Sequence, residues 1–288
     1  MSEERRLRPG TATLALVAVT AIWGSTFVVV KDAVEKMPVL DFLAWRFAIA
    51  TIAVGLLRPQ SVARLGRSGW TLGTLLGLAL GGGYLAQTYG LRTTPASVSG
   101  FITGMFAVFT PLVALLVIRR HVAGRSWFAV ALATLGLGLI ALRGFSVGAG
   151  ELLTLGCALA FAVHIVGLGE WSPRFDAFGL AFVQLFTVTV MCTVFAAPNS
   201  LAPPTDLSVW GAVLLTGLAA SAFGFVVQTW SQAHLHSVRV AVVLTMEPVF
   251  AGLFGVLIGG DHLGARTILG AGCVVVAMLA VESDPVGR

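Results

Sequence analysis

Ten apolar runs follow one another along this chain, each about as long as the hydrocarbon core of a lipid bilayer is thick, with little between them. A core of about 30 Å needs roughly 20 apolar residues in a helix, and the runs fall at 12–30, 39–57, 70–91, 98–118, 126–142, 151–169, 177–197, 208–229, 239–259 and 266–282. In lipid every backbone amide has to be satisfied within the chain, and a run of this length does so as a helix. The predicted fold is therefore all-α, a polytopic membrane protein with ten transmembrane helices. The gaps are too short to hold a soluble domain, so one bundle accounts for the whole chain. Composition agrees: 57% of the 288 residues are hydrophobic and 11% charged, against about a quarter charged in soluble domains.

The formal charge of +5 would raise nucleic acid as a partner in a soluble chain. Here the basic residues sit in the gaps, where they orient the spans, and the expected partner is the lipid bilayer. Arg5, Arg6 and Arg8 ahead of an apolar run have the outline of a signal peptide, but that run is of full span length and is read as a retained first helix. On one side of the predicted membrane lie Arg5, Arg6, Arg8, Arg58, Arg64, Arg67, Arg119, Arg120, Arg125, Arg174, Arg239 and Arg288. On the other lie Lys31, Lys36, Arg92, Arg143 and Arg266. The bias places both termini in the cytoplasm, and the first half carries most of it. Cys157, Cys192 and Cys273 stand singly inside apolar runs, and His234 and His236 are too small a cluster to hold a metal alone,. With no nucleotide-binding or protease motif present, the expectation is no metal, no cofactor and no enzymatic activity.

The chain repeats itself. Trp23 and Phe161 are 138 residues apart, as are Arg46 and Gln184; Gln87-Thr88-Tyr89 and Gln228-Thr229-Trp230 are 141 apart; Pro111 and Pro248 are 137 apart. The reading divides the chain into a cytoplasmic N-terminal tail (1–11), a first five-helix repeat (12–142), a linker (143–150), a second five-helix repeat (151–282) and a C-terminal tail (283–288). Five is odd, so the repeats enter the membrane in opposite senses, an inverted arrangement that transporters use to open alternately on either side. Consecutive GxxxG steps at Gly73, Gly77 and Gly81, and another at Gly255 and Gly259, predict close helix approach.

One run, Ala241 to Gly260, is interrupted at its middle by Glu247 and Pro248; its earlier counterpart, Phe101 to Ile118, carries Pro111. Both follow a Ser-Val pair, Ser97-Val98 and Ser237-Val238. Each proline removes a backbone hydrogen bond and kinks its helix. Glu247 has two readings. In one it takes up and releases a proton during transport, or holds a cationic group, since low dielectric disfavours a bare carboxylate. In the other it braces the backbone that Pro248 frees. Arg46, about five residues into the second span, either reaches water with Asp41 or Asp32 as partner, or grips a substrate carboxylate. Trp23, Ser25, Thr26, Gln87, Tyr89, His164, Gln184, Gln228 and Trp230 offer hydrogen bonds without full charge and recur at repeat-equivalent places, as the wall of a half-polar substrate cavity would require. Tyr89 and Trp230 also suit the membrane interface, and His164 suits either a proton relay or an interhelical contact.

These residues resemble a known family, the EamA-type transporters of the drug/metabolite transporter superfamily. The resemblance rests on AIWGSTFVVVK (Ala21 to Lys31), the pattern from Pro38 to Arg46-Phe47, GLRTTPASVSGFITG (Gly90 to Gly104), AFAVHIV (Ala160 to Val166) and MEPVFAGLFG (Met246 to Gly255), and it spans essentially the whole chain. A glycine-glutamate pair that usually ends the family's ninth span stands here as Gly260-Asp261, and the matching place in the first half is Arg119-Arg120. The resemblance implies a multi-pass carrier of the bacterial cytoplasmic membrane, often an exporter of amino acids or related small metabolites. The combined reading is a secondary transporter of small metabolites or drug-like compounds working by alternating access, with protons as candidate co-substrate. A passive channel or facilitator, and a membrane subunit without transport of its own, stand beside it as alternatives.

Overall fold

The computed structural model describes residues 3–119, 124–143, 146–199, 201–234, 240, 243–244 and 246–282. Arg120, the linker positions 144–145, His236, the Ser237-Val238 pair, Arg239 and the tail 283–288 lie outside the described residues. The helices are α1 (Glu3–Lys36), α2 (Val39–Leu57), α3 (Pro59–Ala63), α4 (Arg67–Leu91), α5 (Ala96–Thr103), α6 (Phe106–Ile118), α7 (Gly124–Ala141), α8 (Ala149–Trp171), α9 (Ala177–Ala196), α10 (Leu207–Leu214), α11 (Gly224–His234), α12 (Met246–Leu257) and α13 (Ala265–Glu282). A two-residue antiparallel pair, β1 (Leu142–Arg143) with β2 (Ser146–Val147), joins α7 to α8.

Local chemistry sets the boundaries. Pro38 and Pro95 precede α2 and α5, and Pro59 opens α3, where a missing N–H leaves no partner unsatisfied. Asp176 caps α9 by accepting from the N–H groups of Phe178 at 3.0 Å and Gly179 at 3.2 Å, and Asp206 caps α10 through Ser208 N at 2.8 Å,.

Among the described residues six helical stretches are long and apolar enough to cross a membrane: Thr11–Lys36, Val39–Leu57, Ala96–Val117, Ala149–Arg174, Ala177–Ala196 and Leu207–His234. Met246–Leu257 and Ala265–Ala277 are shorter apolar helices. The chain is thus an all-helical, polytopic membrane protein apart from the one short strand pair, and leucines such as Leu56 and Leu116, 78% and 79% exposed, are at ease facing lipid. The spans expected at 98–118 and 208–229 are not uninterrupted α-helices. The first divides at Gly104-Met105 into α5 and α6. The second passes through a wider helix with i→i+5 bonding, Leu215–Phe223, between α10 and α11. The third is glycine-rich, and its Gly73, Gly77 and Gly81 lie against Val183, Thr187 and Met191 of α9, the close approach that the GxxxG spacing predicts.

Helix pairs cross in a regular way. On α2 and α9, Gly55 lies against Phe182 and Arg58 over the ring of Phe178, while Trp45 reaches Ala202 beyond the other end of α9. These two helices therefore run antiparallel. Between them Thr51 Oγ1 and Thr189 Oγ1, 138 positions apart in the chain, are hydrogen-bonded at 3.0 Å. Ser97 and Gly100 of α5 lie against Gly255 and Ala251 of α12, and Gly136 and Gly138 of α7 against Gly270 and Arg266 of α13, again antiparallel. Further packing pairs α4 with α8 and with α9, α1 with α12 and α11, and α6 with α8.

One end of the bundle is tied by two charges. The Lys31 ammonium donates to the carbonyls of Leu91 at 3.0 Å and Thr94 at 2.8 Å. Asp261 Oδ2 accepts from Ser97 N at 2.8 Å and Ser97 Oγ at 2.7 Å. Pro95 gives α5 no side-chain cap, so the carboxylate supplies one from across the bundle. Gly260, at φ +68, makes the turn that aims it,.

Candidate functional site

Helical spacing brings the polar residues together. On α1, Trp23, Thr26 and Phe27 share a face at i, i+3 and i+4, and on α8 Phe161, His164 and Ile165 do the same. α4 contributes Leu80, Tyr84 and Gln87, α11 contributes Phe225 and Gln228, α6 contributes Phe106, and Leu244 and Glu247 come from the last interrupted run. Together these residues line a cavity of about 40 Å³, room for about three waters. The wall repeats itself across the two halves of the chain. Trp23 and Phe161, Thr26 and His164, Phe27 and Ile165, and Phe106 and Leu244 are each 138 positions apart; Tyr84 and Phe225, and Gln87 and Gln228, are each 141 apart. Leu80 and Glu247 alone break the pattern.

The wall is held from behind. Trp23 Nε1 donates to Ala220 O at 2.7 Å, a carbonyl of the widened helix Leu215–Phe223. A Cβ on Gly224 would come within 2.7 Å of the indole. Gln87 Nε2 donates to Thr103 Oγ1 at 3.3 Å. Gln184 Nε2 donates to Leu180 O at 3.0 Å, so its Oε1 accepts from His164 Nε2 at 2.7 Å. Tyr84 stands at the centre of a ring cluster, 4.9 Å from Phe47, 5.4 Å from Phe161 and 6.0 Å from Phe225 between centroids.

Glu247 is 7% exposed, faces the cavity, and has no hydrogen-bond or ion-pair partner among the described residues. Gln228 Oε1, in the same wall, is a buried acceptor with no donor among the described residues. Pro248 is the third residue of α12, so its missing N–H falls in a first turn,; Pro111 lies inside α6 and outside the cavity.

The other residues selected from sequence sit elsewhere. Arg46 is 2% exposed and does not reach water. Its guanidinium lies 4.7 Å over the Tyr84 ring and 5.2 Å over Phe47, with Nε donating to Ser221 Oγ at 2.9 Å and Nη2 to Tyr84 Oη at 3.4 Å. It touches the cavity only through Tyr84. Asp41 and Asp32 are not its partners: Asp41 accepts from Ala202 N at 3.4 Å and Asp32 pairs with Lys36 at 3.1 Å. Asp41 is five positions from Arg46, which turns it about 140° away on a helix. Gln184 stands one layer behind His164. Ser25 donates to Ile22 O at 2.7 Å. Tyr89 is 38% exposed, and Trp230 packs on His234 with centroids 5.2 Å apart. None of these four lines the cavity. Tyr84 and Phe225 take the places given to Tyr89 and Trp230, and the signal was available: each is three residues from a wall glutamine, on the same helix face, whereas Tyr89 and Trp230 are two away and point about 200° round. Among the described residues no three His, Cys, Asp or Glu side chains cluster to hold a metal.

Comparison with known proteins agrees with this architecture. The sequence model of the EamA-like transporter family matches residues 10–142 and again residues 148–282. A protein of Archaeoglobus fulgidus described as an uncharacterized transporter is 32% identical over 274 residues, covering 94% of this chain and 85% of that protein. The pseudopaline exporter CntI of Pseudomonas aeruginosa is 25% identical, covering 90% and 91%, and the uncharacterized transporter YoaV of Bacillus subtilis is 24% identical, covering 90% and 92%. A solved crystal structure aligns with a TM-score of 0.69 over 94% of this chain and 96% of the other, at 20% identity, a likeness of fold alone.

Proposed function

The chain belongs to the EamA-like transporter family, whose general role is membrane transport, and on that premise we infer that it is a secondary carrier of small metabolites working by alternating access. The observation that carries the reading is the cavity wall, built from both halves at repeat-equivalent positions. A site of this kind can exchange its two halves' conformations and so face either side in turn. The antiparallel crossing of α2 with α9, with Thr51 bonded to its own counterpart Thr189, supports two inverted five-helix repeats, 12–142 and 151–282, related by a pseudo-two-fold axis.

At about 40 Å³ the cavity is too small for a metabolite without side-chain movement. Export is the direction favoured by the relative named as an exporter. The bias of basic residues supports cytoplasmic termini.

Glu247 is the wall's one carboxylate, buried and without a partner among the described residues. Its assigned role is to exchange a proton or the cationic group of a substrate. The test is a stabilisation screen against amino acids, nucleosides, polyamines and drugs, followed by uptake of the strongest ligand into proteoliposomes. Glu247→Gln should abolish accumulation driven by a pH gradient and leave exchange down the ligand's own gradient, since the amide resembles the protonated acid in shape and bonding. Wild-type accumulation by the variant would remove Glu247 from the mechanism.

A further inference from the structure

A second cavity, of about 320 Å³, lies where α2 gives way to α3 and the loop after α8 enters α9. Three arginines, Arg58, Arg64 and Arg174, line it beside the neutral polar side chains of Gln60 and Ser61. The one acid in the lining is Asp176, and its Oδ1 is engaged in capping α9 through two backbone N–H groups. Arg58 is steadied by the Phe178 ring, 5.1 Å from its guanidinium carbon, so part of the ordering that binding would require is already made. The concentration of positive charge is thus available to an anion.

The surroundings say what kind of anion. Leu56 and Leu57, immediately before Arg58, are 78% and 70% exposed, and Phe182 and Phe186 stack with centroids 6.0 Å apart beside Trp70. A cationic cleft at the end of membrane spans, with exposed leucines just before Arg58 and an aromatic cluster one to two turns along α9 from Phe178, has the chemistry of a headgroup site with room for acyl chains alongside. We propose that this cleft binds the phosphodiester of an anionic phospholipid, which clamps the α2–α3 corner onto the start of α9. The site is separate from the transport cavity and does not depend on the carrier reading.

The test is thermal unfolding of the purified protein in an uncharged detergent, followed by tryptophan fluorescence, with short-chain phosphatidylglycerol, phosphatidylcholine of the same chains, and sn-glycerol 3-phosphate titrated separately. Phosphatidylglycerol should raise the unfolding temperature in a saturable way, and the other two should not at equal concentration. The Arg64→Gln/Arg174→Gln double variant should lose roughly thirty-fold in apparent affinity, about five-fold per arginine, while keeping its unfolding temperature in lipid-free micelles. Adding Arg58→Gln should remove the response, and because Arg58 also packs on Phe178 the double variant decides the matter if the triple variant is unstable. Equal stabilisation by phosphatidylcholine, or an undiminished response in the double variant, overturns the site. Equal stabilisation by glycerol phosphate overturns the lipid as its occupant.

Discussion

Removing the Asp261 carboxylate should loosen one end of the bundle by an amount that its geometry allows to be worked out. Oδ2 accepts two bonds from one residue, Ser97 N at 2.8 Å and Ser97 Oγ at 2.7 Å, and hydrogen bonds to a charged partner contribute about 1.5–3 kcal/mol each. Partial exposure argues for the lower figure. Asp261→Ala, which removes both, should destabilise by about 3 kcal/mol, the backbone part being the loss of a helix cap worth about 1 kcal/mol or more. Ser97→Ala, which removes only the hydroxyl, should cost about 1.5 kcal/mol. The double variant should be little worse than Asp261→Ala alone, because the serine hydroxyl has already lost its acceptor, leaving a coupling of about 1.5 kcal/mol. The assay is equilibrium unfolding of the four proteins in mixed micelles. Additivity within about 0.5 kcal/mol would mean that the two residues do not share this bond in the membrane protein in solution, and the account of the clasp would be wrong.

Gly77→Leu should destabilise by about 1–3 kcal/mol or prevent folding, since its Cβ would lie 2.6 Å from Thr187 Cβ and 2.8 Å from Gln184 O; a neutral result in the same assay would contradict the α4–α9 contact. Tyr84→Ala should abolish stabilisation by the screened ligand, while Tyr89→Ala should leave it within about two-fold, well under 1 kcal/mol; the reverse order would mean that the helix faces are misassigned. Asp206, outside the membrane-spanning segments, has its carboxyl held below the ordinary range by the Ser208 backbone N–H and then by the Ser208 hydroxyl. A lowered folded value stabilises above the unfolded value and is lost as pH falls through the folded one. Asp206→Ala should therefore lower the unfolding temperature at about pH 7, and the gap should narrow as the pH falls below the ordinary carboxylate value of about 3.9 and on through the lowered folded one. A gap unchanged over that interval would exclude the charged cap.

That the chain is helical and polytopic was legible because lipid leaves so few ways to satisfy a backbone, and the offsets of 138 and 141 that mark the repeat in sequence reappear in the cavity wall. The wall itself was read less well. Polarity picked out Tyr89 and Trp230, but helical phase decides which aromatic faces inward, and phase favours Tyr84 and Phe225. Arg46 was expected either to seek water with an aspartate or to grip a substrate carboxylate; here two aromatic rings and Ser221 hold it, contacts between residues as far as 175 positions apart that no local pattern announces. The widened helix at Leu215–Phe223 left no mark either. Its sequence, LTGLAASAF, is an ordinary run of small and apolar residues, and the indole of Trp23 that bonds to its Ala220 carbonyl lies 197 positions away.

Counterflow separates a carrier from a channel. Proteoliposomes preloaded with an excess of the unlabelled ligand found by stabilisation are diluted into a trace of the same ligand carrying a label, with no ion gradient. A carrier whose single cavity faces the two sides in turn must bring labelled ligand in as unlabelled ligand leaves, so the account predicts a transient internal concentration of label above that outside. A monotonic rise to equality, with no overshoot, would be the behaviour of a channel and would contradict alternating access through the cavity between the two halves.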